Sequence, residues 1–344
     1  MVSRAIRDRA ASIMPDGKVC SRPVEVSRGM QVLPMLKESP SSIVSFLQCP
    51  MKWAVTRYGE LPRSDKDQNN PWSVLGSFVH RVLEIYSNER RELRTEDLLL
   101  ETRKACLVEI ENGGRSGLVS QREQDAYNEI FDVYEGDDSL PPYWPGSDDP
   151  DFEFYRWFRT QSRNLILGLF DVENPEDVVV ISTEKWVRNT VNKVIVNMKL
   201  DREIQSEGGQ LVIDDWKTGK APGEDEEIEV TNPTFLPAAI YAISDRSREY
   251  SNVNRVRLIY LKNAEIIVLK MTDERRELTT EILDMVTKEM NFAKESGEIM
   301  ATPSASTKVG VCRTCPISKM CPAWSDDTDD PWAELLLYIE RNRK

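Results

Sequence analysis

The sequence is poorest in histidine, with one, His80, among 344 residues. Sites built on several imidazoles are therefore excluded, and any chemistry that needs one has a single candidate. Long hydrophobic runs are missing as well. The longest uncharged stretch near the middle, 230–244, has 15 residues and contains Pro233 and Pro237, too short and too broken to cross a bilayer. The N-terminus, MVSRAIRDRAASIMPDG, is basic without the apolar run of a secretory signal. A cytoplasmic chain with no membrane partner is the expectation, and six cysteines in a reducing compartment read as thiols or metal ligands rather than disulfides. No internal repeat is present. With 40% hydrophobic and 30% charged residues, the composition excludes collagen, low-complexity disorder and a multi-span membrane protein. The length suffices for a large core and suggests two domains or one decorated domain.

A surplus of positive charge is also lacking. The net charge of -13 argues at face value against a nucleic-acid partner. Its distribution weakens that argument. Three stretches, 132–153, 224–229 and 326–330, hold seventeen of the 58 acidic residues, and the rest of the chain sets 41 acids against 45 bases. Each stretch is rich in Pro, Gly or Ser and reads as a solvated loop.

Residues 1–38 show no clean period and read as a mobile extension. A short helix follows in SPSSIVSFLQCP, capped by Ser39 or Ser41 and stopped at Pro50. Gly76–Ser87 is a helix with Phe78, Val82 and Ile85 on one stripe and His80 and Glu84 on another. Helices over about 96–134 and 151–170 complete a helical block. Three segments rich in Val and Ile, 177–187, 193–203 and 210–217, read as a β-meander. A helix over 235–243, strands at 255–261 and 265–271, a helix over 274–295, a cysteine loop and a helix over 332–341 follow. The pattern is α/β.

The sharpest local signal is IDDWKTGK, Ile213–Lys220. Alternation on a strand points Asp215 and Lys217 to one face and Asp214 and Trp216 to the other. The preceding strand, VNMKLDREI, brings Asp201 into the hairpin partner, where a second carboxylate converges with Asp215. Two carboxylates, a lysine and the lone histidine make a site for a divalent cation, magnesium or, with an imidazole present, manganese. An Asp-Lys pair on a surface strand is the plainer alternative.

GSFVHRVLE, KLDRE and IDDWKTGK, in that order, resemble the RecB-like branch of the PD-(D/E)xK nuclease superfamily, with its Gly-x-x-x-His helix, Asp-Arg strand and (D/E)-x-K strand ending in Lys-Thr-Gly. The resemblance covers about residues 39–325. It implies a restriction-endonuclease-like core, a central mixed sheet flanked by helices, with a helical insertion over about 90–172, a nuclease core over about 173–300 and a C-terminal cysteine loop at 309–324, leaving 326–344 as an acidic loop and terminal helix. It also implies a metal-dependent deoxyribonuclease. His80, Asp201 and Asp215, with the Trp216 carbonyl, would hold Mg2+ or Mn2+, and Lys217 would position the attacking water. Tyr241, in FLPAAIYA, matches the tyrosine of a Gln-x-x-x-Tyr motif whose glutamine position is here Pro237, and Met198 stands where a glycine is usual. Glu84, one turn from His80, is a candidate acceptor behind it, with a solvated helix charge an equal alternative. The implied substrate is DNA ends, single strands preferred, with a helicase or recombination protein as partner. A non-catalytic DNA-binding subunit and an endonuclease of recombination or CRISPR spacer processing are the alternatives.

VCRTCPISKMCPAW gathers Cys312, Cys315 and Cys321, and a fourth thiolate must come from Cys20, Cys49 or Cys106. Four thiolates suit zinc as well as iron. Resemblance to the iron-sulfur subset of the same family, the AddB-type and CRISPR-associated RecB-like exonucleases, implies Cys49 and a [4Fe-4S] cluster that staples the chain. Finally, FEFYRWFRTQSR, Phe152–Arg163, interleaves aromatics with Arg156, Arg159 and Arg163. Core packing accounts better for most of these aromatics, leaving the arginines as candidate DNA contacts; Arg188, Lys193 and Lys220 are further candidates, with a solvated face an equal alternative.

Overall fold

The computed structural model describes residues 35–58, 71–113, 117–119, 121, 123–125, 127–128, 150–206, 208–223, 225–244 and 253–296, with Ile299, Cys312, Cys315 and Cys321; of 150–155 it describes the backbone alone. The expected N-terminal extension up to 34, the acidic stretches at 132–149 and 326–330, the terminal helix and Cys20 lie outside these residues. The chain divides into two compact units, one of 1–64, 188–198 and 277–344, the other of 65–187 and 199–276.

In the second unit, helix α3 (Pro71–Ser87) is followed by α4 (Glu96–Glu111) and α5 (Pro150–Val172). Thr95 caps α4 by accepting the Leu98 N–H, and Glu96 and Asp97 sit at the positive end of its dipole. The sequence pattern runs this helix on to about residue 134. The structure ends it at Glu111, because Asn112 caps it and Gly113 takes a left-handed conformation, φ 80°, that glycine adopts without strain. Buried Phe78, Val79, Val82, Leu83 and Tyr86 of α3 pack with Leu99 and Leu107 of α4 and Phe158, Leu165 and Leu169 of α5. At Gly168 a Cβ would stand 2.1 Å from the Leu261 carbonyl oxygen, so α5 reaches the end of a strand only because that position is glycine.

The strands of this unit are the second half of β3 (Val194–Gln205), then β4 (Leu211–Lys217), β5 (Arg255–Tyr260) and β6 (Glu265–Lys270), together with the first part of β2 (Val179–Val191). β3 and β4 are antiparallel, β4 and β5 parallel, β5 and β6 antiparallel. The parallel step requires a crossover, and helix α6 (Leu236–Ser244) supplies it. β4 is buried along nearly its whole length and carries Trp216 into the helical core. The result is an α/β fold with a mixed sheet flanked by helices.

In the first unit, β1 (Leu36–Glu38) pairs in parallel with the start of β3, Leu36 opposite Val194. These residues fall in the stretch that the sequence pattern leaves without structure, because three residues carry no period. Helix α1 (Pro40–Gln48), capped by Ser39, gives way at Cys49 to α2 (Pro50–Tyr58), so the proline that stops one helix begins the next. Glu38 is 1% exposed and accepts from Ser42, from Trp53 Nε1 at 3.2 Å and from Tyr58. The turn between β2 and β3, Asn192–Lys193, has both residues at positive φ, the two-residue hairpin geometry that asparagine favours. Asn192 donates to Asp284 and Thr287 of helix α7 (Asp273–Ser296). No described helix is long and apolar enough to cross a membrane.

Candidate metal centre and groove

Pairing between β3 and β4 sets the site. Arg202 stands opposite Asp214, which places Asp201 opposite Asp215 one residue along each strand. Alternation then separates the two faces. On one, Arg202 Nε donates to Asp214 Oδ2 at 2.8 Å, Arg257 Nε to Asp214 Oδ1 at 2.6 Å, and both guanidinium groups reach Glu173, at 2.7 and 3.0 Å. Two cations and two anions are thereby buried in balance, the condition under which such charges persist. Burial opposes charge on Arg202 and Arg257, but Asp214 and Glu173 raise both above the ordinary arginine value.

The other face gathers the candidate site residues. Asp201 is 8% exposed. Its Oδ1 lies 3.2 Å from His80 Nδ1, and its Oδ2 accepts the Trp216 N–H at 2.8 Å. His80 is brought there by α3, whose Gly76 leaves only 3.3 Å between a would-be Cβ and Thr218 Oγ1, just beyond Lys217. The His80 ring meets the Trp216 indole edge-on at 5.9 Å, and Arg202 stacks over the same indole at 5.5 Å. Asp215 pairs with Lys217 at 2.7 Å. Tyr241 comes from α6, in which Pro237 occupies the first turn, a position that needs no N–H.

The electrostatics follow from burial and pairing. Burial works against the His80 imidazolium, yet Asp201 and then Asp215 raise its pKa above the usual histidine value. For Asp201, burial is outweighed by His80, the Trp216 N–H and Lys217, which hold it below the ordinary carboxylate value. Asp215 goes the other way. Burial and the neighbouring Asp201 push it up against the pull of Lys217. Lys217 stays charged, because Asp215 and Asp201 outweigh burial, and burial with those two carboxylates pushes the Tyr241 phenol well above its ordinary value.

Glu184, on β2, is a candidate site residue that the sequence pattern misses. His80, Glu184 and Asp201 each offer a ligand atom, all within 4.8 Å of one another, the one such group among the described residues. An acid in the Val- and Ile-rich run DVVVISTEKWV is unremarkable by spacing. The signal is conformational, since Glu184 has φ 50°, a region that costs a non-glycine residue about 1–3 kcal/mol and gathers at functional sites. Lys199 pairs with it. One imidazole nitrogen and two carboxylate oxygens fit a hard divalent cation such as magnesium or manganese. Asp215 is not part of that group, being drawn to Lys217. Glu84 does not back His80; Arg81 holds it at 2.6 Å.

The trio opens on a groove of about 760 Å³, lined among others by Ser73, Ser77, Arg81, Trp186 and Lys199. The aromatics expected at 152–163 divide: Phe158 is fully buried in the core, Trp157 packs edge-on against Trp72 at 4.9 Å, and the side chains of Phe152 and Phe154 lie outside the described residues. Arg159 pairs with Glu111, and Arg188 donates to Asn197.

Cys49, Cys312 and Cys321 are buried and Cys315 partly so, and all four belong to the first compact unit. Cys49 Sγ accepts the Lys52 N–H at 3.4 Å. Cys106 belongs to the other unit, in the core of α4, where burial pushes its thiol up to about 12.

The family model of the PD-(D/E)XK nuclease superfamily matches residues 37–322. No curated protein matches the chain.

With cations chelated, the His80–Asp201 pair has a defined pH window. A histidine raised in the fold contributes stability that is complete below its unfolded value, about 6.5, and is lost as pH rises through the raised value. A lowered carboxylate contributes above its unfolded value, about 3.9, and loses that as pH falls. Urea unfolding in EDTA should therefore show His80→Gln costing roughly 1.5–3 kcal/mol at pH 6 and distinctly less at pH 9. A larger cost at pH 9 contradicts the pairing.

Proposed function

The chain belongs to the PD-(D/E)XK nuclease superfamily, whose members are metal-dependent nucleases, and on that premise we propose that it is a deoxyribonuclease hydrolysing phosphodiester bonds at DNA ends. The meeting of His80 and Asp201 at one groove, with the Asp215–Lys217 pair close enough to act on both electrostatically, supports this reading most. His80, Asp201 and Asp215, joined by Glu184 and the Trp216 carbonyl, are the proposed holders of Mg2+ or Mn2+. A bound divalent cation supplies Lewis acidity, lowering the pKa of a water and neutralising charge on the scissile phosphate.

The chain's own groups do the rest. Asp201 fixes the His80 ring through Nδ1 and is itself fixed by the Trp216 N–H, so the donors are preorganised rather than assembled on demand. Lys217, kept cationic by Asp215, orients the attacking water and faces the negative charge that grows on the phosphoryl oxygens. The Tyr241 phenol stays protonated and serves as a donor beside the two carboxylates. The four cysteines of the first unit, Cys49, Cys312, Cys315 and Cys321, are the proposed ligands of a [4Fe-4S] cluster of structural role, with the Lys52 N–H stabilising the Cys49 thiolate. That assignment goes with the RecB-like exonucleases, with a cytoplasmic place in recombination, repair or replication, and with a helicase or recombination protein as partner.

With Mn2+, purified protein should shorten linear labelled DNA and spare circular DNA, and Lys217→Ala should lower the rate at least about a hundredfold. Absence of cleavage in the wild type, or full activity in Lys217→Ala, overturns the enzyme reading; cutting of circles overturns the exonuclease assignment. Anaerobically purified protein should be brown and Cys49→Ala colourless. A colourless wild type with stoichiometric zinc replaces the iron cluster with zinc.

A further inference from the structure

The groove beside the metal trio carries one side chain that neither packing nor the proposed chemistry uses. Trp186 is 71% exposed, the most exposed of the large hydrophobic side chains described, yet it lies on β2 two residues from Glu184. Both line the same groove, with His80, Asp201, Arg81 and Lys199. An indole left in water on a strand loses the burial that usually justifies it. Lys185 between them turns elsewhere, to Glu203 at 3.0 Å. The remaining lining is Ser73, Val74, Gly76, Ser77 and Gly117 with two further acids, Glu84, which Arg81 holds, and Glu123, so Trp186 is the only indole among the described lining residues.

Resting on the nuclease reading above, we propose that Trp186 is the platform on which an unpaired base of the substrate stacks while the adjoining phosphate lies at His80, Glu184 and Asp201. Three features carry this. The groove's volume of about 760 Å³ lies within the roughly 300–1,000 Å³ range of sites that engulf a small ligand, so it has room for a nucleotide rather than for a phosphate alone. An indole has a broad π-face and two side-chain torsions, and strand β2 fixes its base, so little freedom is lost on stacking. Lys199, 45% exposed and paired with Glu184, and Arg81, one quarter exposed and paired with Glu84, line the same groove and offer it the positive charge that a backbone phosphate would meet. Stacking tolerates any base, because every base has a π-face, but it requires the base to be free of its neighbours. Within a duplex both faces are already covered, and exposing one costs a few kcal/mol of unstacking. Trp186 thus selects unpaired strands and frayed ends, independent of sequence.

The test is equilibrium binding of the full chain, with Ca2+ in place of Mn2+, to a labelled twelve-nucleotide oligothymidine and to an abasic oligomer of the same length and charge. Trp186→Ala should weaken oligothymidine binding about tenfold, the worth of one stacked base. Trp186→Phe should restore most of it, and the abasic oligomer should bind all three proteins alike. Equal weakening of both ligands, no weakening of either, or no binding of oligothymidine by the wild type overturns the proposal. The nuclease reading fails separately, through absence of cleavage with Mn2+. A protein that binds by stacking but never cleaves sinks that reading and leaves the platform standing.

Discussion

Everything at the site depends on the register between β3 and β4. Arg202 opposite Asp214 and Asp201 opposite Asp215 is one pairing with two consequences, because alternate residues of a strand point to opposite faces. A slip of β3 by one residue would turn Asp201 toward Glu173, away from Asp215, and turn Arg202 toward the groove. The ionic network holds the register from behind. Asp214, 0% exposed, is bonded by two guanidinium groups, and Glu173 ties both to the end of α5. From in front, the Asp201 carboxylate bridges the Trp216 N–H of β4 and the imidazole of α3. Trp216 links the two, met edge-on by the His80 ring and covered by Arg202, with its own Nε1 buried and unpartnered.

The same arrangement reconciles an acidic protein with an anionic substrate. A net charge of -13 repels DNA at long range, and the acids at 225–229 lie on or near the surface of the described loop that carries them. At the site, however, the carboxylates of Glu184, Asp201 and Asp215 already face cations: Lys199, His80 and Lys217. A divalent cation among them turns a locally neutral site into one that attracts phosphate. Association should be slow and cation-dependent rather than steered by the protein's own field.

The order of motifs was readable because each rests on a physical need of its own. A carboxylate and an ammonium two residues apart share a strand face, and a Gly-x-x-x-His step lets a helix lie close to a strand end, as Gly76 does against Thr218. Strands β3 to β6 stand out through Val and Ile density. What stayed hidden depends on tertiary placement. β1 is three residues long and owes its form to pairing with β3. Glu184 joins the trio through a left-handed backbone that no periodicity encodes. Trp186 looks like any strand aromatic until its exposure is known. Spacing alone makes Glu84 a candidate behind His80, but Arg81, three residues before it on the helix, holds it instead.

His80 of α3, Glu184 of β2 and Asp201 of β3 converge on a single candidate cation site. Anomalous scattering from a crystal of the full chain soaked in Mn2+ tests this most directly. A manganese peak within coordination distance of all three side chains is the expected result. A peak held by other residues, or none in a crystal soaked to saturation, contradicts it.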